Sequence, residues 1–520
     1  MRQGPLARLP IEALLFALAA VVRLPGLGRP VIGDEANAQV IVQAPLAATV
    51  DLLVRNDAHP PLYFLLLQLW GAVSDELWWL RLPSLLLGAG ACVLVYRVGM
   101  ETFGAAIGRA AFAVAALSPL LVFQSQYLRP YVLAVFVSTA ALLLTTRLVR
   151  ADTAAFPRLL IGLAAAEILL LYTYYLSLFI VLAINLFLGV YLMGRERARL
   201  RMWAVSLVVV ALAFLPWLPY YAAQMAGVSG GTASSTPLLK AAGMGLYVGP
   251  VQVGSIAKAV LALLQVDELR LSTMRVSAYG SRLTLMLGGA AVASAMVALT
   301  AVGWLQLHRR SPAAATAVLL TASAPVAAAC ALSVAGDLGL FSPVAVNLRY
   351  FGESAAVFTL VLGAAVLGLR PRALRYAAAG AIVLLLVAQL PFVYAYPFNY
   401  RAEVLRILDR HPNVTLIVSS ASTVDFFLPE DRSNRDASRH AYQRVVVDPK
   451  AVDEALGQLT AADGFFFVRT TTAEHIVRFP TFAADFESAL LDRGFVKAEE
   501  ERVSDMLTVA VFERQASGGR

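Results

Sequence analysis

Long apolar runs dominate the first three-quarters of the chain. They fall near residues 9–25, 81–99, 109–128, 130–147, 158–175, 177–193, 203–221, 283–305, 313–335, 351–369 and 376–395. A helix needs about 20 apolar residues to cross roughly 30 Å of hydrocarbon. The pattern therefore predicts a mainly α fold, a polytopic membrane bundle of about 11 transmembrane helices. One further run, residues 61–74 (PLYFLLLQLWGAVS), is only about 14 residues long. If it spanned, every later loop would change side, so it is expected in or near the outer interface. After Pro397 the pattern switches. Helical stretches at 400–409 and 452–460, with strands at 414–419, 464–469 and 506–513, predict a small α/β domain. The Gly- and Ser-rich segment 222–282 reads as an outer loop with apolar stretches at 237–247 and 255–265.

Arginines orient these runs. Arg2 and Arg8 precede the first one and place the N-terminus in the cytoplasm. Ala17-Leu18-Ala19 loosely imitates a signal-cleavage site, but the apolar stretch before it is too short, so the segment reads as an anchor. Loops on that side then collect Arg97 and Arg109, then Arg147, Arg150 and Arg158, then Arg195 to Arg201, then His308 to Arg310, then Arg370, Arg372 and Arg375. This is a positive-inside series. An odd number of spans puts the C-terminal residues outside. The expected organisation is a transmembrane module at 1–396, with a first outer loop at 26–80, and an extracytoplasmic domain at 397–520. The expected location is the cell inner (plasma) membrane.

Composition narrows the class. Of 520 residues, 59% are hydrophobic and 15% charged, against about a quarter charged in soluble domains. That excludes a soluble enzyme, a disordered chain and a disulfide scaffold. Cys92 and Cys330 both lie in apolar runs and read as small core residues. The net charge is +8, while the residues from Pro397 onward carry 15 basic and 19 acidic side chains. The basic surplus thus belongs to the membrane part, where it marks orientation rather than a nucleic-acid footprint. Membrane lipids are expected partners and nucleic acid is not. The five histidines (His59, His308, His411, His440, His475) are isolated. No ligand spacing supports a divalent metal, and no cofactor is required.

Some polar residues near the outer ends of the runs need a reason. Asp34 and Glu35 follow the first run. They fit a solvated turn with Asp34 as a helix N-cap, or a general base whose pKa partial burial raises. His59 precedes two prolines and fits a turn residue or part of a site. Arg129 and Arg349 sit on the outer side, against the cytoplasmic bias. They fit snorkelling side chains, or guanidinium groups gripping a phosphate. Tyr127, Tyr131 and Tyr350 fit an aromatic belt. Glu167 lies in mid-run and is the best sequence support for a transporter or flippase of a lipid-linked sugar. A binding module on an inert anchor needs far fewer spans.

Several stretches recur in order: Gly33-Asp34-Glu35-Ala36, Asp57-x-His59-Pro60-Pro61-Leu62-Tyr63-Phe64, Leu80-Arg81-Leu82-Pro83-Ser84, Ser118-Pro119-Leu120-Leu121, Ser125-Gln126-x-x-Arg129-Pro130-Tyr131 and Leu348-Arg349-Tyr350. In this arrangement the chain resembles the GT-C glycosyltransferases, nearest the dolichyl-phosphate-mannose protein mannosyltransferase and lipid A aminoarabinose transferase branches. The resemblance implies a sugar carried on a polyprenyl phosphate and moved, with inversion, to a glycan, lipid or protein acceptor on the extracytoplasmic side. It implies Asp34 as the base and Glu35 as its helper. It also implies Arg129, Arg349, Tyr350 and His59 around the donor phosphate. One departure stands out: residues 172–175 read Tyr-Thr-Tyr-Tyr, where many relatives carry a histidine at the position of Tyr174.

Overall fold

The structure, a computed structural model, describes residues 10–29, 35–57, 59–194, 197–230, 297–337 and 348–395. Of the remainder it describes 406–407, 410–411, 416–419, 443–446, 464–470, 482–504 and 507–514. The chain divides into two compact units: residues 1–29 with 37–395, and residues 30–36 with 396–520.

The first unit is helical. It contains α1 (Ile11–Arg23), α2 (Glu35–Gln43, straddling the boundary), α3 (Thr49–Asn56), α4 (Leu62–Gly71), α5 (Leu77–Phe103) and α6 (Ala105–Leu117). Next come α7 (Pro119–Gln124), α8 (Tyr131–Leu148), α9 (Phe156–Leu171), α10 (Ser177–Met193), α11 (Arg197–Phe214) and α12 (Leu218–Gly230). A helix over 297–310 is α13, followed by α14 (Pro312–Asp337), α15 (Gly352–Gly368) and α16 (Arg372–Ala395). Among the described residues, five helices are long and apolar enough to cross a membrane: Leu77–Phe103, Tyr131–Leu148, Arg197–Gln224, Pro312–Ala329 and Arg372–Pro391. Leu62–Gly71, Ala105–Leu117, Ser177–Met193 and Gly352–Gly368 are shorter apolar helices. The expected run at 283–305 lies mostly outside the described residues, as does the 222–282 loop beyond α12.

The run at 109–128 is two helices rather than one. Pro119 cannot donate a backbone hydrogen bond and pushes Ser118 out of the helical region, to φ −58° and ψ 118°. Ser118 then caps α7, accepting from Leu121 N at 3.3 Å. Gly104 turns α5 into α6 at φ +105°, a backbone that favours glycine. The two helices approach so closely that a Cβ on Gly99 would lie 2.6 Å from the Gly108 Cα, the small-residue contact typical of membrane helices.

Around α5 pack α1, α6 and α8, with α15 against α6 and α8. One buried arginine joins several of these elements. Arg23 donates to the carbonyls of Ala19 (2.9 Å), Ala116 (3.2 Å) and Ala115 (3.4 Å), to Ser125 Oγ (2.9 Å) and to Cys92 Sγ (3.2 Å). Glu167 of α9 accepts from Asn185 Nδ2 of α10 at 2.6 Å, and Asn185 Oδ1 accepts from Trp203 Nε1 of α11 at 3.0 Å. At one end of the bundle Glu101 gathers Arg97 and Arg147, while Arg150 reaches the Glu101 carbonyl and Arg310 that of Phe103. These belong to the arginines expected in cytoplasmic loops.

Short α4 docks on α5 through two indoles. Trp70 and Trp79 stack at 4.5 Å, and each ring N–H donates to the other residue's backbone carbonyl, at 2.8 and 3.1 Å. Leu66, Leu69 and Val73 on the same segment stay exposed.

The second unit holds a five-stranded sheet of β1 (Leu416–Ser419), β2 (Gln443–Val446), β3 (Gly464–Thr470), β4 (Phe495–Ser504) and β5 (Leu507–Arg514). The order is β2-β1-β3-β5-β4. β1 pairs in parallel with β2 and β3, and β5 pairs antiparallel with β3 and β4. Side chains alternate across a strand: Phe465 and Phe467 share a face with Phe512 and Phe486, while Phe466 meets His411 on the other. Helix α17 (Phe482–Asp492), β2 and β4 were not expected from the sequence; residues 452–460 lie outside the described residues.

Candidate functional site

A buried polar cluster forms where the α3–α4 loop meets the helix ends around α8. Helix α3 stops at Asn56 because Asp57 turns extended, at φ −139° and ψ 155°, and two prolines follow at 60 and 61. The short segment Asp57–Pro61 faces Arg129, which closes the turn between α7 and α8. Arg129 Nη1 lies 2.5 Å from Asp57 Oδ2 and Nη2 lies 3.2 Å from Oδ1, a two-point grip on the carboxylate. Both side chains are nearly sealed from solvent, at 5% and 1% exposure.

His59 completes this cluster. Its Nδ1 lies 2.5 Å from Asp57 Oδ1 and 2.9 Å from Arg129 Nη2. One nitrogen cannot donate and accept at once. We assign the proton to Nδ1, donating to the carboxylate, which is both the charged and the nearer partner. Burial alone would push the Asp57 carboxyl up. The adjacent Arg129 charge and His59 outweigh it and hold the group well below the usual carboxylate range.

Aromatic rings wall the imidazole. Tyr174 stacks on His59 at 5.7 Å, and Tyr131 meets it edge-on at 5.6 Å. Tyr131 also contacts Tyr174 at 5.4 Å, Tyr350 at 6.3 Å and Tyr127 at 6.4 Å. Tyr174, the departure from the family pattern, thus supplies a flat apolar face to the histidine. Below the rings, Ser177 Oγ donates to Glu353 Oε1 at 2.8 Å, tying α10 to α15 three residues beyond Tyr174 and Tyr350.

The chain that follows α1 is also anchored. Arg81, fully buried, donates to the Leu27 carbonyl at 2.9 Å and to that of Arg29. Arg29 in turn donates to the Gln126 carbonyl at 2.9 Å.

Of the six residues singled out by sequence, the structure brings three together: His59, Arg129 and Tyr350. The side chain of Arg349 lies outside the described residues, although its backbone forms the 3-10 turn Leu348–Phe351 that carries Tyr350. Asp34 lies outside the described residues. Glu35 opens α2 and is fully buried. Among the described residues no three carboxylate, histidine or cysteine side chains group as metal ligands.

Asp57 and Gln224 were missed as site residues. Asp57 stood in the quoted motif without a role, yet a carboxylate two residues from a histidine in a proline-closed loop is a legible signal for a pair. Gln224 gave none. It lies on α12, and its buried amide nitrogen sits 3.0–3.2 Å from the carbonyls of Leu53, Asp57 and His59.

No family model matches this sequence, and no curated protein does. Solved structures match at low identity. ArnT from Cupriavidus metallidurans in the apo state has a TM-score of 0.57 at 14% identity, covering 96% of this chain and 97% of that one. The same protein bound to undecaprenyl phosphate gives 0.56 at 15%, covering 98% and 99%. The Archaeoglobus fulgidus oligosaccharyltransferase in complex with Zn and sulfate gives 0.51 at 14%, covering 91% and 69%. The chain shares the fold of these solved structures, and five of its described helices are long and apolar enough to cross a membrane.

Proposed function

We propose that this chain is an integral-membrane, inverting glycosyltransferase that moves a sugar from a polyprenyl phosphate to an acceptor on the extracytoplasmic side. The observation that carries the reading is the Asp57–His59–Arg129 cluster, ringed by Tyr131, Tyr174 and Tyr350, on a fold shared with a protein crystallised with undecaprenyl phosphate. The N-terminus is cytoplasmic and residues 397–520 are extracytoplasmic in this reading. The acceptor is a glycan, lipid or protein.

The chemistry is a single displacement. The acceptor hydroxyl attacks the anomeric carbon opposite the phosphate, and the bond from that carbon to the phosphate oxygen breaks. Asp34 takes the hydroxyl proton, with Glu35 orienting the acceptor or sharing the proton. Negative charge then gathers on the departing phosphate. Arg129, Arg349, the Tyr350 hydroxyl and His59 stabilise it; a preorganised donor in a dry site is worth about 3 kcal/mol. Asp57 sets the plane in which Arg129 presents its N–H groups, so little reorganisation is needed when charge develops.

The transport alternative rested on Glu167, and that carboxylate is engaged by Asn185 within the bundle. A transfer assay in detergent tests the enzyme reading directly, because transport needs sealed compartments. Purified chain should release polyprenyl phosphate and glycosylate an acceptor. Asp34→Asn should fold and lose transfer by about a hundredfold to ten-thousandfold, the range for removing a general base. Near-normal turnover by that variant rejects the mechanism.

A further inference from the structure

The Asp57–His59 loop has no helix or strand to hold it. Helix α3 closes with the Asp57 N–H on Leu53 O at 3.1 Å, leaving the later carbonyls without intrahelical partners, and Pro60 and Pro61 carry no N–H. A relay of three buried or half-buried side chains supplies what is missing. Gln224 Nε2 faces Leu53 O at 3.1 Å, Asp57 O at 3.2 Å and His59 O at 3.0 Å. Gln224 Oε1 accepts the Tyr175 hydroxyl, and that hydroxyl accepts from Trp217 Nε1 at 2.9 Å. The three side chains come from different elements: the turn between α9 and α10, the 3-10 turn Leu215–Trp217, and α12.

The order of this relay fixes which way the amide points. An indole N–H only donates. The Tyr175 oxygen is therefore the acceptor toward Trp217, and its own proton goes to Gln224 Oε1. That leaves the NH₂ end of Gln224 toward the loop. A flipped amide would set Oε1 against three carbonyl oxygens. Two amide hydrogens serve three acceptors, so the three carbonyls stay crowded about one point and the loop keeps its curvature.

We infer that Gln224, oriented through Tyr175 by Trp217, is a positioning residue that holds Asp57 and His59, and through Asp57 the Arg129 guanidinium, in register for a phosphate. This rests on the reading of His59 and Arg129 as donor-phosphate groups. It concerns geometry, not contact with substrate.

The test uses the full chain in detergent with undecaprenyl phosphate as the probe, following affinity by ligand-dependent thermal shift. Gln224→Met keeps length and volume but removes both donors. It should weaken binding about tenfold or more, the scale of one buried hydrogen-bonding group left unmet. Tyr175→Phe leaves Gln224 Oε1 without its donor and loosens the amide, and should weaken binding about threefold; Trp217→Phe should do less. The ligand-free unfolding midpoints of Tyr175→Phe and Trp217→Phe should stay near the wild type. A packing role predicts another order: Trp217→Phe, with the largest lost volume, would be worst, and the two near-isosteric changes would bind normally. That order, or wild-type affinity in both Gln224→Met and Tyr175→Phe, overturns the inference. If Gln224→Met fails to fold, the Tyr175→Phe and Trp217→Phe pair decides alone. Failure of the wild-type chain to bind the probe instead rejects the phosphate site itself, and the inference with it.

Discussion

Arg23 and Arg129 are two arginines enclosed in one helical unit, 0% and 4% exposed, and they are satisfied in opposite ways. Arg23 meets three backbone carbonyls, a hydroxyl and a thiol. Its N–H groups are used, and among the described residues no carboxylate pairs with it. It fastens α1 to α5, α6 and the turn after α7. Arg129 meets a carboxylate at two points, beside a histidine and a wall of tyrosines. Ala19 O lies inside α1, whereas Ala115 O and Ala116 O belong to the last turn of α6, where Pro119 offers no N–H, so losing Arg23 leaves neutral acceptors short of a donor. A buried carboxylate without its cation is a different matter. The comparison separates an arginine that builds from one that is held ready.

The largest effect is expected at Arg129. Arg129→Met takes the cation from the buried Asp57 carboxylate and leaves only His59 beside it, which should cost about 3–5 kcal/mol; under the proposed function it also removes a phosphate contact. Unfolding in detergent should show the loss, and adding Asp57→Leu should restore much of the stability without restoring transfer. If both return together, the pair is structural like Arg23.

Acid sharpens the contrast next. The folded-state pKa of Asp57 is depressed. Its stabilising contribution is therefore complete above the ordinary aspartate value, about 3.9, and is lost as pH falls from there toward the depressed value. The unfolding midpoint of the wild type should approach that of Asp57→Asn across this window, scanned from about pH 6 downward. A constant gap would mean Asp57 does not carry the charge assigned to it.

Arg23→Met should matter less. It removes hydrogen bonds of about 1 kcal/mol each while also relieving a buried charge, so the net change should be within about 2 kcal/mol. Transfer per folded molecule should match the wild type within about twofold. The smallest effect belongs to Glu167→Gln, which keeps an acceptor for Asn185. Transfer and stability should both stay within about 0.5 kcal/mol of the wild type, and a large loss of activity there would reopen transport.

The sequence announced the helices because apolar length is a one-dimensional signal. It did not announce the break at Ser118-Pro119 in the run 109–128, although Pro119 itself was the cue. Motif order picked out His59, Arg129 and Tyr350, and the folded chain brings these three together. The partner that disciplines Arg129 was less legible, because Asp57 lies 72 positions away and only the folded turn pairs them. Gln224 was invisible for the same reason: a glutamine near the end of an apolar helix carries no mark until its three carbonyl partners are in place. In the second unit, the continuous apolar run Phe465 to Val468 marked β3. The charged edge strand β4, with Glu499, Glu500 and Glu501 in a row, hid its strand character behind solvation.

The paired indoles of Trp70 and Trp79 form a closed ring in which each residue both gives and receives one hydrogen bond. Such a ring opens at both bonds or at neither, so α4 leaves α5 as a unit rather than by fraying. Two indoles stacked at 4.5 Å and 13° also couple their electronic transitions. Their exciton signal in circular dichroism, erased by Trp79→Phe, is a built-in optical gauge of whether this hairpin is shut.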